Sequence, residues 1–190
     1  MKISFVSNAI RVGYIIENPT IYKGNKYVLY PNKLKLIYDS NFPKNLQRKK
    51  LSLIYFIVIN GKIYKIGQSA DGNGINGCMG FYLSAGQDSS GPNRFAINYL
   101  VRECMKNGDK IEIYMKYKAP KLEEVEGLFS EEKEWIEVAP SAKDMEQLAM
   151  KQFKRIENEY PLWNFQERGV IIPNEIQKIF ENYKSNRNKK

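Results

Sequence analysis

The run Leu51–Ile59, LSLIYFIVI, constrains this chain more than any other stretch. It is apolar, β-branched and aromatic, too short for a typical helix, and stopped by Asn60-Gly61. A buried strand, a tight turn and a second strand over Lys62–Gly67 are expected, then a glycine-rich loop from Ala70 to Gly80 and the pair Phe81-Tyr82. Polar groups fall in unusual places here, with Tyr55 inside the apolar run and Lys65 in the partner strand. Side chains alternate along a strand, so the register decides whether those two meet. A two-residue loop at Asn60-Gly61 pairs Phe56 with Lys65 and sends Tyr55 to the opposite face. A three-residue loop with a bulge puts Tyr55 and Lys65 together. Both registers remain open in the sequence.

The chain is 190 residues long, enough for one domain with additions. It has no run of eighteen apolar residues and no signal-peptide pattern, so a cytoplasmic protein with no membrane span is expected. Cys78 and Cys104 stand far apart and read as free thiols, buried or partly so. With no histidine anywhere, Ser-His-Asp, Cys-His and histidine-metal chemistries are excluded. Catalysis, if any, must use Tyr, Lys, Arg and carboxylates. The net charge of +9 is uneven, since residues 1–65 carry twelve Lys or Arg against Glu17 and Asp39. A basic front half suggests a polyanion-binding face or, equally, a lysine-rich solvated surface.

The first fifty residues alternate short β-type runs, Lys2–Val6, Tyr14–Glu17, Tyr27–Tyr30 and Lys33–Tyr38, with turns at Asn18-Pro19, Gly24-Asn25 and Pro31-Asn32. They read as a β-rich basic arm leading Lys33 and Lys35 toward phosphates or, equally, as an extension of the main sheet. Arg48, Lys49 and Lys50 form a basic linker. Beyond a polar loop over Ser84–Asn93, a helix is expected from Arg94 to Asn107, with Ile97, Leu100, Val101 and Cys104 inward. Arg94, Asn98, Arg102 and Lys106 make an i,i+4 stripe that is either solvated or in contact with phosphate. Lys110–Lys118 alternates as a third strand. Glu123–Glu137 is acidic around Leu128-Phe129 and Trp135, a poor surface for DNA. Ser141 caps the next helix with Asp144 three residues on, and Met145, Leu148, Ala149, Phe153 and Ile156 are its expected buried face, flanked by Glu146. A final helix follows Pro173, with Asn174 as cap, and ends in a mobile basic tail from Lys184 to Lys190.

Leu53-Ile54-Tyr55 followed by Tyr64-Lys65-Ile66-Gly67-Gln68-Ser69 resembles the two half-motifs of the GIY-YIG nuclease family. Leu53 stands for the first glycine, and Lys65 for the second tyrosine, as in some restriction endonucleases of that family. The resemblance also expects a metal-binding Glu on a helix after the third strand, met by Glu146, and a later Pro-x-x-Asn, met by Pro161-Leu162-Trp163-Asn164. It departs at Cys78, where the family usually has a phosphate-binding arginine; Arg94 is the first arginine after the hairpin.

The resemblance covers about residues 51–165 and implies an α+β fold, a small central antiparallel sheet flanked by helices. Residues 1–50 would form the basic arm and 166–190 a C-terminal helix and tail. The implied activity is that of a type II restriction endonuclease, a homodimer that cuts double-stranded DNA at a symmetric site with one magnesium ion per active site. Tyr55, Lys65, Tyr82, Arg94, Glu146 and Asn164 would be catalytic, with Glu146 holding the metal. Lys33, Lys35, Arg48, Lys49, Ser69, Asn98 and Arg102 would contact DNA. A non-cutting DNA-binding module and a structure-specific or phage-type nuclease are the alternatives.

Overall fold

In the computed structural model, which describes all residues except 22, 25–26, 87–90, 127–132, 170 and 189–190, Leu53–Ile59 forms a strand buried along its whole length. It is β3 of a five-stranded sheet with β1 (Ile10–Ile21), β2 (Asn32–Tyr38), β4 (Lys62–Ser69) and β5 (Ile111–Tyr117), ordered β2-β1-β5-β3-β4. Every pairing is antiparallel. Helices α1 (Gly74–Leu83), α2 (Pro92–Lys106), α3 (Ala142–Glu157) and α4 (Asn174–Asn188) flank it, giving the expected α+β architecture. A separate hairpin, β6 (Lys121–Glu126) with β7 (Lys133–Val138), lies between β5 and α3.

Strand β3 is apolar throughout because both sheet faces are covered at its position. Leu53, Tyr55, Ile57 and Ile59 join the core that includes Ile75 and Met79 of α1 and Ile97 and Val101 of α2. Ile54, Phe56 and Val58 point the other way, onto Met150 and Phe153 of α3. A third cluster packs Phe95 of α2 against Ile176, Phe180 and Tyr183 of α4.

The hairpin resolves the register in a way neither alternative describes. Asn60 (φ 47°) and Gly61 (φ 79°) form a two-residue turn, both left-handed, and Ile59 pairs with Lys62. The register then slips by one: Val58 faces Ile63, Ile57 faces Lys65, and Tyr64 is the extra residue. The bulge lies in β4, beyond the turn, and it alone brings Lys65 to the face that carries Tyr55. Trp163 supports it, donating its N–H to the Tyr64 carbonyl at 2.8 Å and packing edge-on to the Tyr64 ring.

Several expectations need correction. The stretch Ala70–Gly80 is largely helical, because Ile75, Cys78 and Met79 gain more by burial than the glycines lose in helix propensity. Gly74 (φ 58°) starts α1 against the Lys49 backbone, where any Cβ would overlap a carbonyl oxygen. Of the two readings of residues 1–50, the sheet extension is the one observed, as β1 pairs with β5 and β2 with β1. Lys2–Val6 contains a 3-10 turn over Ile3–Phe5, and Tyr27–Tyr30 is not a strand. On α3 the Ser141 cap forms as expected, accepting from the Asp144 N–H. Its buried residues, however, are Ala142, Met150 and Phe153, while Leu148 (54% exposed) and Ile156 (63%) face outward. The basic tail is helical through Asn188, fixed by buried Tyr183 and the bond from Arg187 Nη1 to its hydroxyl at 2.7 Å. Asn25 of the Gly24-Asn25 turn, the middle of the Ser84–Asn93 loop, the pair Leu128-Phe129 and the last two residues lie outside the described residues. Cys78 and Cys104 are free thiols. No helix among the described residues is long and apolar enough to cross a membrane.

Candidate active site

Tyr55 sits opposite Gly67 across the β3–β4 ladder, and the hydroxyl end of its ring lies against that glycine. A Cβ at position 67 would overlap the Tyr55 hydroxyl and ring, so only glycine leaves the phenol its place. The Tyr55 hydroxyl is 2.6 Å from that of Tyr82, which α1 lowers onto it with the two rings edge to face. Burial raises the Tyr55 phenol well above its ordinary pKa, and Tyr82, Cys78 and Glu146 add to this. Burial also pushes Tyr82 up to about 12, although its bond to Tyr55 and the charge of Arg94 pull the other way. Both phenols are therefore neutral in the free protein.

The pair forms a partition between two cavities. On one side, a polar cavity of about 240 Å³ is lined by Lys65 from β4, Glu146 from α3, and Glu167, besides the two phenols. Lys65 and Glu146 come from opposite sheet faces and meet because β4 is the edge strand, around which α3 reaches. Burial lowers the Lys65 ammonium's pKa, and the carboxylates of Glu167 and Glu146 oppose that fall. Burial raises Glu146, Lys65 draws it down, and Glu167 raises it further. On the other side, a cavity of about 250 Å³ is bounded by Ser69, Asp71, Cys78 and Arg94. Burial pushes the Cys78 thiol up to about 12, so at neutral pH it carries no charge. Arg94 lies at the start of α2, with its guanidinium 4.3 Å above the Phe81 ring. It lines the same cavity as Cys78, at whose position the family resemblance expects an arginine.

Asn98 and Arg102, read as DNA contacts, are internal and need correction. The Asn98 amide donates to the Tyr82 carbonyl at 2.6 Å and accepts from Arg102 Nε at 2.9 Å. Arg102 in turn pairs with Glu17 at 2.9 Å, donates to the Asn32 carbonyl at 2.6 Å, and lies over the Tyr30 ring. These bonds tie α1 and α2 to the first two strands and fix the height of Tyr82 over Tyr55. Asn164 is likewise committed. Its side chain donates to the Ile66 carbonyl at 2.8 Å and accepts the Ile66 N–H at 2.9 Å, satisfying the open edge of β4 between Lys65 and Gly67. It positions the strand and is not aimed into the cavity.

Lys33 and Lys35 are exposed, but Leu34 and Leu36 occupy the core that holds Tyr55, so the two lysines point from the other face of the sheet. Arg48 and Lys49 lie beside the N-terminus of α1, where the Gln47 carbonyl accepts the Asn76 N–H at 3.0 Å. Ser69 is buried and accepts the Asp71 N–H at 3.1 Å. Sequence reading missed Glu167, Gln68 and Asn93, which also line the first cavity. Gln68 lay inside the quoted half-motif, whereas nothing in the local pattern marks Glu167 or Asn93.

A divalent cation would meet one carboxylate with a second close by. Among the described residues no group of three His, Cys, Asp or Glu side chains surrounds a metal-sized space. The Glu146–Glu167 repulsion that raises Glu146 is one a cation relieves. This donor set fits a hard ion that brings phosphate oxygens and water with it.

No protein-family model and no curated protein matches the sequence. Among solved structures, the chain is similar to a mutant of bacteriophage T4 EndoII (17% identity, 82% of this chain and 91% of that one, TM-score 0.49). It is also similar to the restriction endonuclease HPY188I in complex with product DNA (17% identity, 82% of this chain and 78% of that one, TM-score 0.38).

Proposed function

We propose that this chain is a metal-dependent DNA endonuclease of GIY-YIG type, a homodimer that cuts double-stranded DNA at a defined symmetric sequence. The observation that carries the reading is the polar cavity onto which two bonded phenols, the Lys65 ammonium and the carboxylates of Glu146 and Glu167 converge. A chain of net charge +9 supplies the affinity for a polyanion.

Phosphodiester hydrolysis needs an activated water, cationic charge on the phosphate and a proton for the leaving oxygen. Tyr55 acts as phenolate, its own proton having first passed to solvent: it takes the water's proton and returns to the neutral phenol, and Tyr82, at 2.6 Å, donates its hydroxyl to the phenolate before that transfer. Lys65 offers its ammonium to the non-bridging phosphate oxygens from the same sheet face. Arg94, beyond the phenol partition, takes the phosphate lodged in the second cavity with a bidentate fork that Cys78 does not provide. A magnesium ion held by Glu146 would add Lewis-acid charge at the phosphate and favour the phenolate.

A magnesium-dependent digest of long duplex DNA tests the reading. Discrete fragments support it. Smears or branch-selective nicks indicate a structure-specific nuclease, and retained binding without cutting indicates a domain that only holds DNA.

Two further outcomes are expected. Arg94→Ala lowers the single-turnover rate about a hundredfold, because a phosphate left unclamped in the second cavity lets the reacting one drift out of line, while the DNA dissociation constant changes far less. The salt dependence of DNA affinity becomes shallower, by about one unit of log–log slope per lost phosphate contact, when Arg48 and Lys49 are neutralised. Neutralising Lys33 and Lys35 leaves the slope unchanged, because they face away from the cavities. A slope that responds to the second pair instead would move the DNA to the other face of the sheet.

A further inference from the structure

Two apolar surfaces are left uncovered, and they adjoin in the chain. One is a groove of about 400 Å³ on the α3 side of the sheet, walled by Phe5, Ile54, Met145, Leu148 and Ile156, with Lys116 and Lys118 along it. Phe5 is 74% exposed, and Leu148 and Ile156 are more than half exposed. The other is the β6–β7 hairpin. Its register puts Leu122 and Trp135 on one face beside Glu124 and Glu137. Leu122 is 64% and Trp135 66% exposed. Clustered exposure of large apolar side chains of this kind marks an interaction surface.

We propose that the Leu122–Trp135 face of the hairpin docks into the groove of a second copy of this chain, reciprocally, forming a twofold dimer. The charges are complementary. Glu123, Glu124, Glu126 and Glu137 outnumber Lys121 and Lys133 on the hairpin, whereas the groove carries Lys116 and Lys118. Connectivity excludes the chain's own groove. Only Lys118, Ala119 and Pro120 join β5 to β6 and only Ala139, Pro140 and Ser141 join β7 to α3, so the hairpin is anchored at both ends beside the groove walls. Strands of six residues reach about 20 Å from those anchors, and such short tethers do not let them turn back. A hairpin that stands at the rim of its own groove overlies the groove of a twofold partner, and both contacts then close in one symmetric step. The proposal names the surfaces of the dimer in the reading above but does not rest on DNA cleavage.

Sedimentation equilibrium of the full chain without DNA, over micromolar concentrations, tests it. A monomer–dimer equilibrium is expected. Trp135→Glu on the hairpin and Leu148→Glu in the groove each weaken the dimer by at least about tenfold, as buried anchors do. Both side chains are exposed in one copy, so the melting temperature at concentrations low enough for the wild type to be monomeric is expected to stay unchanged. If Trp135→Glu lowers it, Leu122→Ser on the same face takes its place. Mixing the hairpin variant with the groove variant restores one intact contact, so the mixed dimer is tighter than either variant's own. A chain that stays monomeric, a dimer indifferent to both substitutions, or a mixture no tighter than its parts overturns the proposal, whatever the digest of DNA shows.

Discussion

Glu146→Gln is expected to lower single-turnover cleavage with magnesium by at least about a thousandfold, while DNA binding is kept or tightened. The amide matches the carboxylate in shape but neither neutralises nor holds a hard cation well. It also removes one negative charge from a cavity meant for a polyanion, which is why binding does not fall. The pH profile gives an independent reading. Burial and Glu167 raise the Glu146 carboxyl, so protons compete with the cation at a higher pH than for an ordinary glutamate. The acid limb of the wild-type profile therefore lies above the usual carboxylate range. Removing Glu167's charge with Glu167→Gln lowers the Glu146 pKa and moves that limb to lower pH. Near wild-type cutting by Glu146→Gln would end the assignment of Glu146 as the metal ligand.

Tyr55→Phe is expected to cost about a thousandfold in the same assay, within the range usual for a lost general base, with affinity for DNA unchanged. The buried phenol is neutral in the free protein, and its hydroxyl has one short bond, to Tyr82. Deleting the Tyr55 oxygen therefore removes the proposed base and takes from the Tyr82 hydroxyl its bond to Tyr55. Tyr82→Phe is expected to cost less, because Tyr55 keeps its place over Gly67. Gly67→Ala supplies the complementary test, since it deletes no functional group and only denies the Tyr55 ring its seat. Its loss of rate should approach that of Tyr55→Phe with little change in DNA affinity. A Gly67→Ala enzyme at full rate would mean that the position of the phenol does not matter to the reaction.

Much of this architecture was legible in the sequence. An uncharged β-branched run ending in Asn-Gly can hardly be anything but a buried hairpin strand, and Ser141 with Asp144 specified the start of α3. Other features depended on contacts distant in sequence. Helix α1 forms through glycines because Ile75 and Met79 find a sheet to cover. Asn98 and Arg102 look like a solvated stripe until α1 arrives to bond the first and the first two strands the second. Glu167 reaches the cavity only because Trp163 and Asn164 fasten its segment to β4. Leu148 and Ile156 fit a helical period but line the open groove over β3 and β5 rather than the packed seam of α3. The bulge at Tyr64 has no local signature, since the residue that fixes it, Trp163, is far along the chain.

That single supernumerary residue makes the site tolerant of one class of genetic change and intolerant of another. Substitutions at Tyr64 that retain a large apolar ring preserve the slip, because the backbone bond from Trp163 needs no particular side chain. A one-codon deletion of Tyr64 itself keeps Lys65 opposite Ile57 and Gly67 opposite Tyr55, whereas a change that draws Tyr64 into the ladder leaves the turn unchanged and shifts every later residue of β4 by one. Lys65 would then move to the α3 side and Gly67 would no longer lie beneath the phenol. A hairpin grafted elsewhere with Tyr64 in its ladder would fold well and do nothing, so the transferable unit is the hairpin together with the distant tryptophan that keeps its strand out of phase.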